Sequence, residues 1–319
     1  MNAFLKLLKL PVKLILRQPG LRKRVRKQVK AMRLRLMPLV ARYNSRNGVL
    51  AVDICKDTGM GAKLEWCLEI LAYCDAHKLR PQVRFSYLDS GPDEDYFGPY
   101  FSLRPQVSPA RFTRIHHIRE LGLDRSYDEV LTLESATRLL EKYLTVKKDV
   151  LDEVDAFCAQ HFAGASVLGI HYRGTDKREE APVVSYDRVV RNAEYYLQRF
   201  PATGKVFIST DESAFILYMQ QNFMSRPVIT RDDAFRSQNG TSIHRRLGID
   251  RYAMNRDAVV NCLLLARCDA LLKTASIVSD WSKLFNPRLG LVLLNRPYDQ
   301  HLWFPARELV KDVLFEPVE

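Results

Sequence analysis

The side chains with the clearest chemical potential occur in three short groups: His171-Tyr-Arg-Gly-Thr-Asp-Lys177, Asp211-Glu212, and Thr274 to Ser276. Each follows an apolar run. An arginine such as Arg173 offers a planar fork that matches a pair of diphosphate oxygens. A carboxylate at Asp211 or Glu212 can accept paired hydrogen bonds from a guanine edge or a ribose. The hydroxyls of Thr274 and Ser276, next to a short helix near Ser279, suit a phosphate. Any one of these residues alone reads as a structural ion pair or a cap. Complementary groups at the ends of three strands read as a nucleotide site.

Two further groups have weaker local signals. Lys56-Asp-Thr-Gly-Met-Gly-Ala-Lys63 places Gly59 and Gly61 between an apolar run and a helical pattern, which offers backbone N–H groups at a helix start. A tight turn without a ligand explains the same residues equally well, because the third glycine of a dinucleotide fingerprint and the Gly-Lys-Ser/Thr of a P-loop are both missing. Asp93-Glu-Asp95 could hold a divalent cation against a nucleotide diphosphate. Its neighbours are turn residues, so a solvated acidic loop is the better account. The six cysteines include no Cys-x-x-Cys pair and read as small buried apolar residues of a reducing compartment.

The elements that must position these groups alternate between strand and helix. Gly48 to Ile54 reads as a buried strand, Leu64 to Ala72 as one face of a helix, and Pro81 to Tyr87 as a second strand. From about Ile115 to Phe162 the pattern is helical. Strands are then expected at Ser166–Tyr172, Lys205–Thr210, Pro227–Thr230, Ala270–Thr274 and Leu291–Leu294. Helices are expected at Tyr186–Phe200, Ser213–Phe223, Asn255–Arg267 and from Ser279. Such alternation predicts an α/β protein with largely parallel sheets covered on both faces. Ligands of such sheets bind beyond the carboxyl ends of the strands, which is where the polar groups fall.

A chain of 319 residues suffices for two ordinary domains or one large one, and 47% hydrophobic content supports a buried core. The net charge of +12 is concentrated at one end: no acidic residue precedes Asp53, while fourteen lysines and arginines do. The body is close to neutral, which argues for a basic arm rather than a basic domain. Ala3 to Leu16 is too short and too charged to span a bilayer, and its lysines interrupt it too often for a secretory signal. Leu21 to Ala41 alternates basic and apolar residues at helical spacing, as in a helix lying on an anionic membrane. Nucleic acid is the lesser expectation, because between Phe4 and Tyr43 the arm supplies no aromatic side chain for base stacking. The expected partner is an anionic membrane surface met through residues 1–42, and the expected location is the cytoplasm, peripheral at the inner face of a membrane.

His171-Tyr-Arg-Gly-Thr-Asp-Lys177 resembles the His-x-Arg-x-x-Asp-Lys signature of the α-1,6-fucosyltransferase and NodZ-like group of the fucosyltransferase superfamily. Ser209-Thr-Asp-Glu212 and the stretch LLKTASIVSDWS resemble its next two motifs, and Gly59-Met-Gly61 stands where related enzymes have a glycine-rich turn. The resemblance implies a GT-B-like fold of two Rossmann-like halves: residues 1–46 as the arm, 47–160 as the acceptor-side half and 161–319 as the nucleotide-sugar half. It implies a GDP-fucose donor, a glycan or lipid-linked glycan acceptor, inversion at the anomeric carbon, and no obligatory metal or other cofactor. Arg173 would hold the β-phosphate, and His171 with Asp211 or Glu212 the guanosine. Asp176 and Lys177 would lie by the diphosphate, and Glu179 or Glu180 would be the base. The sequence departs from the group in having Gly174 where the second arginine of an Arg-Arg pair is expected. The alternatives are a metal-dependent glycosyltransferase using Asp93 and Asp95, and a non-catalytic protein binding membrane or nucleic acid.

Overall fold

The computed structural model describes residues 19–91, 93–107, 111–123, 130–175, 180–237, 248–298, 304 and 306–309. The first half is built on β1 (Val49–Cys55), whose seven residues are all buried. A helix, α2 (Met60–Ala76), returns the chain to β2 (Arg80–Ser86), and β4 (Thr113–Ile115) closes a parallel sheet of order β2-β1-β4. Asp53 is the one carboxylate of β1 and is fully buried. The parallel register sets it opposite Arg84 on one side and Arg114 on the other. Its carboxylate receives both guanidinium groups at 3.2 and 2.7 Å and the Ser86 hydroxyl at 2.6 Å. A buried charge needs such partners, since its desolvation costs several kcal/mol by itself.

The helical stretch expected from Ile115 to Phe162 is more broken than the sequence pattern indicates. A 3-10 turn (Ile118–Leu121) and two helices, α3 (Leu133–Tyr143) and α4 (Lys148–His161), occupy it. Between the helices, β5 (Leu144–Val146) pairs antiparallel with β3 (Phe101–Leu103). Three-residue strands carry too little periodicity to be read locally; partners distant in sequence create them.

The second half follows the expected alternation closely. It contains β6 (Ser166–Tyr172), α5 (Tyr186–Arg199), β7 (Thr203–Thr210), α6 (Ser213–Asn222) and β8 (Val228–Ile229). After these come α7 (Arg251–Ala266), β9 (Ala270–Lys273), α8 (Ile277–Phe285), β10 (Gly290–Leu293) and a short α9 (Ala306–Leu309). The strands form a parallel sheet of order β10-β9-β6-β7-β8, with β6 at its centre. The division near residue 160 separates the two sheets but not the core. Val259, Leu263, Trp281 and Leu284 from α7 and α8 belong to the same apolar cluster as Leu64, Leu68 and Leu139 of the first half.

The basic arm is described from Pro19 onward, as one helix, α1 (Pro19–Asn44), with Pro38 inside it. The expectations for Ala3 to Leu16 fall outside the described residues. The end of α1 is built into the first half: Ala41 is buried, Asn44 donates to Thr113 at 2.8 Å, and Arg33 pairs with Glu120 at 2.6 Å. Val29, Leu36, Leu39 and Tyr43 remain exposed along the helix. Among the described residues no helix is long and apolar enough to cross a membrane. All six cysteines are free, five of them buried and Cys158 half-buried.

Candidate active site

A cleft of about 120 Å³ opens where the two halves meet, at the carboxyl ends of β6 and β7. His171 and Arg173 reach it from β6, and Ser209, Thr210 and Asp211 from β7. Alternation along β6 turns Tyr172 the other way, where its ring stacks on Phe215 at 4.4 Å and its hydroxyl donates to the Val184 carbonyl at 2.9 Å. The turn after β6 is clamped by β9: the Thr274 amide donates to the His171 carbonyl at 3.0 Å, and the Arg173 amide donates to the Thr274 hydroxyl at 2.9 Å. Thr274 is buried and shapes the site from behind.

Arg173 is oriented by Asp211, whose carboxylate lies 3.7 Å from its Nε and accepts the Thr175 hydroxyl at 2.5 Å. Glu212 is not with them in the cleft. It is buried behind Gly174 and accepts the Tyr186 hydroxyl at 2.6 Å. A Cβ on residue 174 would lie 2.5 Å from Glu212 Oε1 and 2.8 Å from the Tyr172 ring, so any side chain there would have to displace one of these buried groups. The departure from an Arg-Arg pair thus has a local cause: Glu212 fills the space.

Two helix N-termini approach the cleft from different halves. Gly59, which has no side chain to offer, is the N-cap of α2, and Ser276, whose hydroxyl makes no capping bond, is that of α8. Gly59, Met60 and Val278 line the cleft. Gly61 is one step removed: a Cβ there would lie 3.1 Å from the Val278 amide nitrogen, so glycine lets the two helix ends approach. Ser276 is buried beside them. Uncapped N–H groups and the helix dipoles favour an anion at this point.

His171 is buried, and burial, followed by the charges of Lys273 and Arg173, lowers its pKa to about 3. It is a neutral imidazole at any physiological pH. Its Nδ1 is buried with no hydrogen-bond partner among the described residues. Such an atom is costly unless a ligand bonds it.

Helix α7 adds residues that sequence reasoning missed. Asn255, Asp257 and Asn261 line the cleft beside Met254 and Ala258. Burial pushes Asp257 up to about 6 against the pull of Arg231, which donates to it at 2.8 Å, and Asn261 donates to the same oxygen at 2.9 Å. Asn255 is hydrogen bonded to the Tyr87 hydroxyl and so ties the halves together at the cleft. The signal was present in the sequence. Polar residues at positions 257 and 261, four apart on a helix whose last ten residues are otherwise apolar, share one face.

Of the remaining expected residues, Glu180 is exposed in a turn whose carbonyl accepts the Tyr298 amide at 2.9 Å. Asp176, Lys177 and Glu179 lie outside the described residues. Asp95 is not a solvated loop carboxylate. It accepts the amides of Phe85, Phe97 and Gly98 at 3.2, 2.8 and 3.1 Å and holds the turn. Among the described residues no group of three or more His, Cys, Asp or Glu side chains could hold a metal ion.

Two Rossmann-like halves with parallel sheets, facing each other across a cleft at the strand ends, make a GT-B-like fold. The sequence model of the family described as Nodulation protein Z (NodZ) matches residues 131–305, more than half of the chain, and the chain belongs to that family. Fold and family together define a glycosyltransferase that uses a nucleotide sugar. No curated protein matches it in sequence. Solved structures similar to it include the fucosyltransferase NodZ from Bradyrhizobium, at 16% identity over 74% of this chain and 92% of that one, with a TM-score of 0.47. POFUT1 in complex with GDP is similar at 9% identity over 76% and 98%, with a TM-score of 0.43.

Proposed function

We propose that this protein transfers fucose from GDP-fucose to a glycan or lipid-linked glycan, with inversion and without an obligatory metal, while resting on the inner face of a membrane through residues 1–42. The observation that carries the reading is the convergence of Arg173 with two uncapped helix N-termini next to His171, whose buried Nδ1 awaits a partner. A diphosphate fits the first set of groups and a nucleoside edge fits the second.

In this reading the acceptor hydroxyl attacks the anomeric carbon from the side opposite the diphosphate. The new C–O bond forms as the bond to the β-phosphate oxygen breaks, and negative charge grows on the departing GDP. Arg173, held by Asp211, and the N-termini of α2 and α8 stabilise that charge. Glu179 or Glu180 takes the hydroxyl proton. His171, being neutral, contributes a hydrogen bond rather than a charge to guanosine. Asp257 and Asn261 supply further polar atoms on the α7 wall, and Asp176 and Lys177 complete the diphosphate side.

Thermal stability of the full chain with chelator present tests the donor. A ligand at 100 times its dissociation constant stabilises by about 2.7 kcal/mol. GDP and GDP-fucose should raise the melting temperature, and UDP-sugars should not. A response to UDP-sugars alone would remove fucose from the reading, and silence towards every nucleotide would overturn it.

A further inference from the structure

The reaction as proposed leaves unused a group of cations on the first half. Lys56 directly follows β1, at the carboxyl edge of the sheet, in the same turn as Gly59 of the cleft. Its ammonium lies 4.6 Å from the centre of the Trp66 ring. His117, just beyond β4, packs on the same indole with ring centroids 5.2 Å apart. Arg33 donates twice to Glu120, at 3.1 and 2.6 Å, and so lays α1 along the 3-10 turn. Lys30, nearly one helical turn earlier on α1, adds its charge to the field at both Lys56 and His117.

The charges around this group are mostly of one sign. Burial, then Lys56, Arg119 and Lys30, lowers the pKa of His117. Burial lowers that of Lys56, with Lys30 adding to the effect. The carboxylates in reach are Glu65 and Glu120, and Glu120 is committed to Arg33. The geometry also sets the histidine tautomer. The Arg119 amide donates to His117 Nδ1 at 3.2 Å, so the neutral ring carries its proton on Nε2 and presents a donor. An ammonium and an imidazole N–H on one indole, with the charge of Lys30 added from α1, are the complement of a phosphate.

We propose that Lys30, Lys56 and His117 form a phosphate subsite for the acceptor, so that the sugar receiving the transferred group is carried on a phosphate-bearing anchor. The proposal rests on the transferase reading. It makes α1 a wall of the acceptor site as well as an arm, since one of the three groups comes from that helix and two from the strand ends.

The test follows the His117 ring resonances by NMR in the full-length protein, assigned with His117→Gln, while inorganic phosphate is added with GDP present to occupy the cleft. A saturable shift with a raised His117 pKa is expected. Lys56→Gln and the exposed-site variant Lys30→Gln should each weaken it about fivefold, the value of about 1 kcal/mol per partly exposed charge pair. A hexose 1-phosphate and phosphatidylcholine vesicles containing one-quarter phosphatidylglycerol separate the sources. Saturation by the sugar phosphate alone assigns a soluble phosphorylated acceptor. A response to vesicles that both lysine variants diminish assigns a lipid-borne phosphate. A His117 signal unmoved by any of the three, or one that responds in both lysine variants with the wild-type affinity, overturns the subsite. The melting temperature with GDP, read on the same samples, keeps the two readings apart: a GDP response with a silent His117 removes the subsite alone, and a responsive His117 without a GDP response removes the transferase reading.

Discussion

The neutral state of His171 makes a quantitative prediction. Its pKa falls to about 3 in the folded chain because the ring is buried and faces the charges of Lys273 and Arg173. In the unfolded chain a histidine titrates near 6.5. Below that value the unfolded state binds a proton that the folded state refuses. The group therefore contributes stability that is fully present above pH 6.5 and is lost as pH falls from there towards 3. From pH 7.5 to pH 5 the two proton affinities give a loss of about 2 kcal/mol. That is a large share of a typical stability of about 5–15 kcal/mol. Urea unfolding of wild type and His171→Gln at both pH values isolates it, because the glutamine keeps polar atoms and cannot titrate. The wild type should lose about 2 kcal/mol more than the variant over this interval, whatever the other groups contribute to both. Parallel losses, within about 0.5 kcal/mol, would show that the ring takes up a proton normally and is not the buried neutral donor-site group described above.

Further outcomes follow from the same geometry. Arg173→Ala should abolish detectable stabilisation by GDP while shifting the melting temperature of the free protein little, because the side chain is partly exposed; an unchanged response to GDP would remove it from the diphosphate site. Glu179→Gln and Glu180→Gln separate the candidates for the base: the correct one should lower turnover by about 10²–10⁴-fold and leave GDP affinity intact, and normal turnover in both would sink the assignment. Gly174→Ala should cost about 1–3 kcal/mol by driving a methyl into Glu212 and Tyr172, and calorimetry showing no loss would mean that the turn relaxes freely. Lys63 is buried against the Ser86 carbonyl, and burial lowers its pKa to about 7. Its charge is resisted in the folded chain below pH 10.5, so Lys63→Met should stabilise more at pH 7 than at pH 10; an equal gain at both would contradict the sign.

How much was legible in the sequence varied with the kind of interaction. The strands at Ser166–Tyr172 and Ala270–Lys273 were readable because parallel strands buried on both faces are continuous apolar runs. His171, Arg173 and Asp211 were readable as residues of the cleft because a polar group directly after such a run stands at the carboxyl end of a parallel sheet. Glu212, the next residue after Asp211, was not separable from it: adjacent residues turn opposite ways, and only the position of Tyr186 and the space behind Gly174 decide which carboxylate faces the cleft. Asn255, Asp257 and Asn261 escaped notice because α7 reads as a core helix, and its polar face acquires meaning only when β6 and β7 are laid against it.

By itself, then, the sequence determined the alternation of strand and helix, the polar strand ends that line the cleft, the charge asymmetry of the arm and, through a seven-residue motif, the family. These are properties of local order along the chain, set by side-chain periodicity and by the apolar-to-polar transitions at strand ends. The tertiary structure decided the rest. It joined the N-termini of α2 and α8 across the two halves, and it laid α1 along the 3-10 turn through Arg33 and Glu120. It also placed Arg84 and Arg114 on the buried Asp53. Each of these depends on residues far apart in sequence, whose contacts are selected by the packing of the whole core.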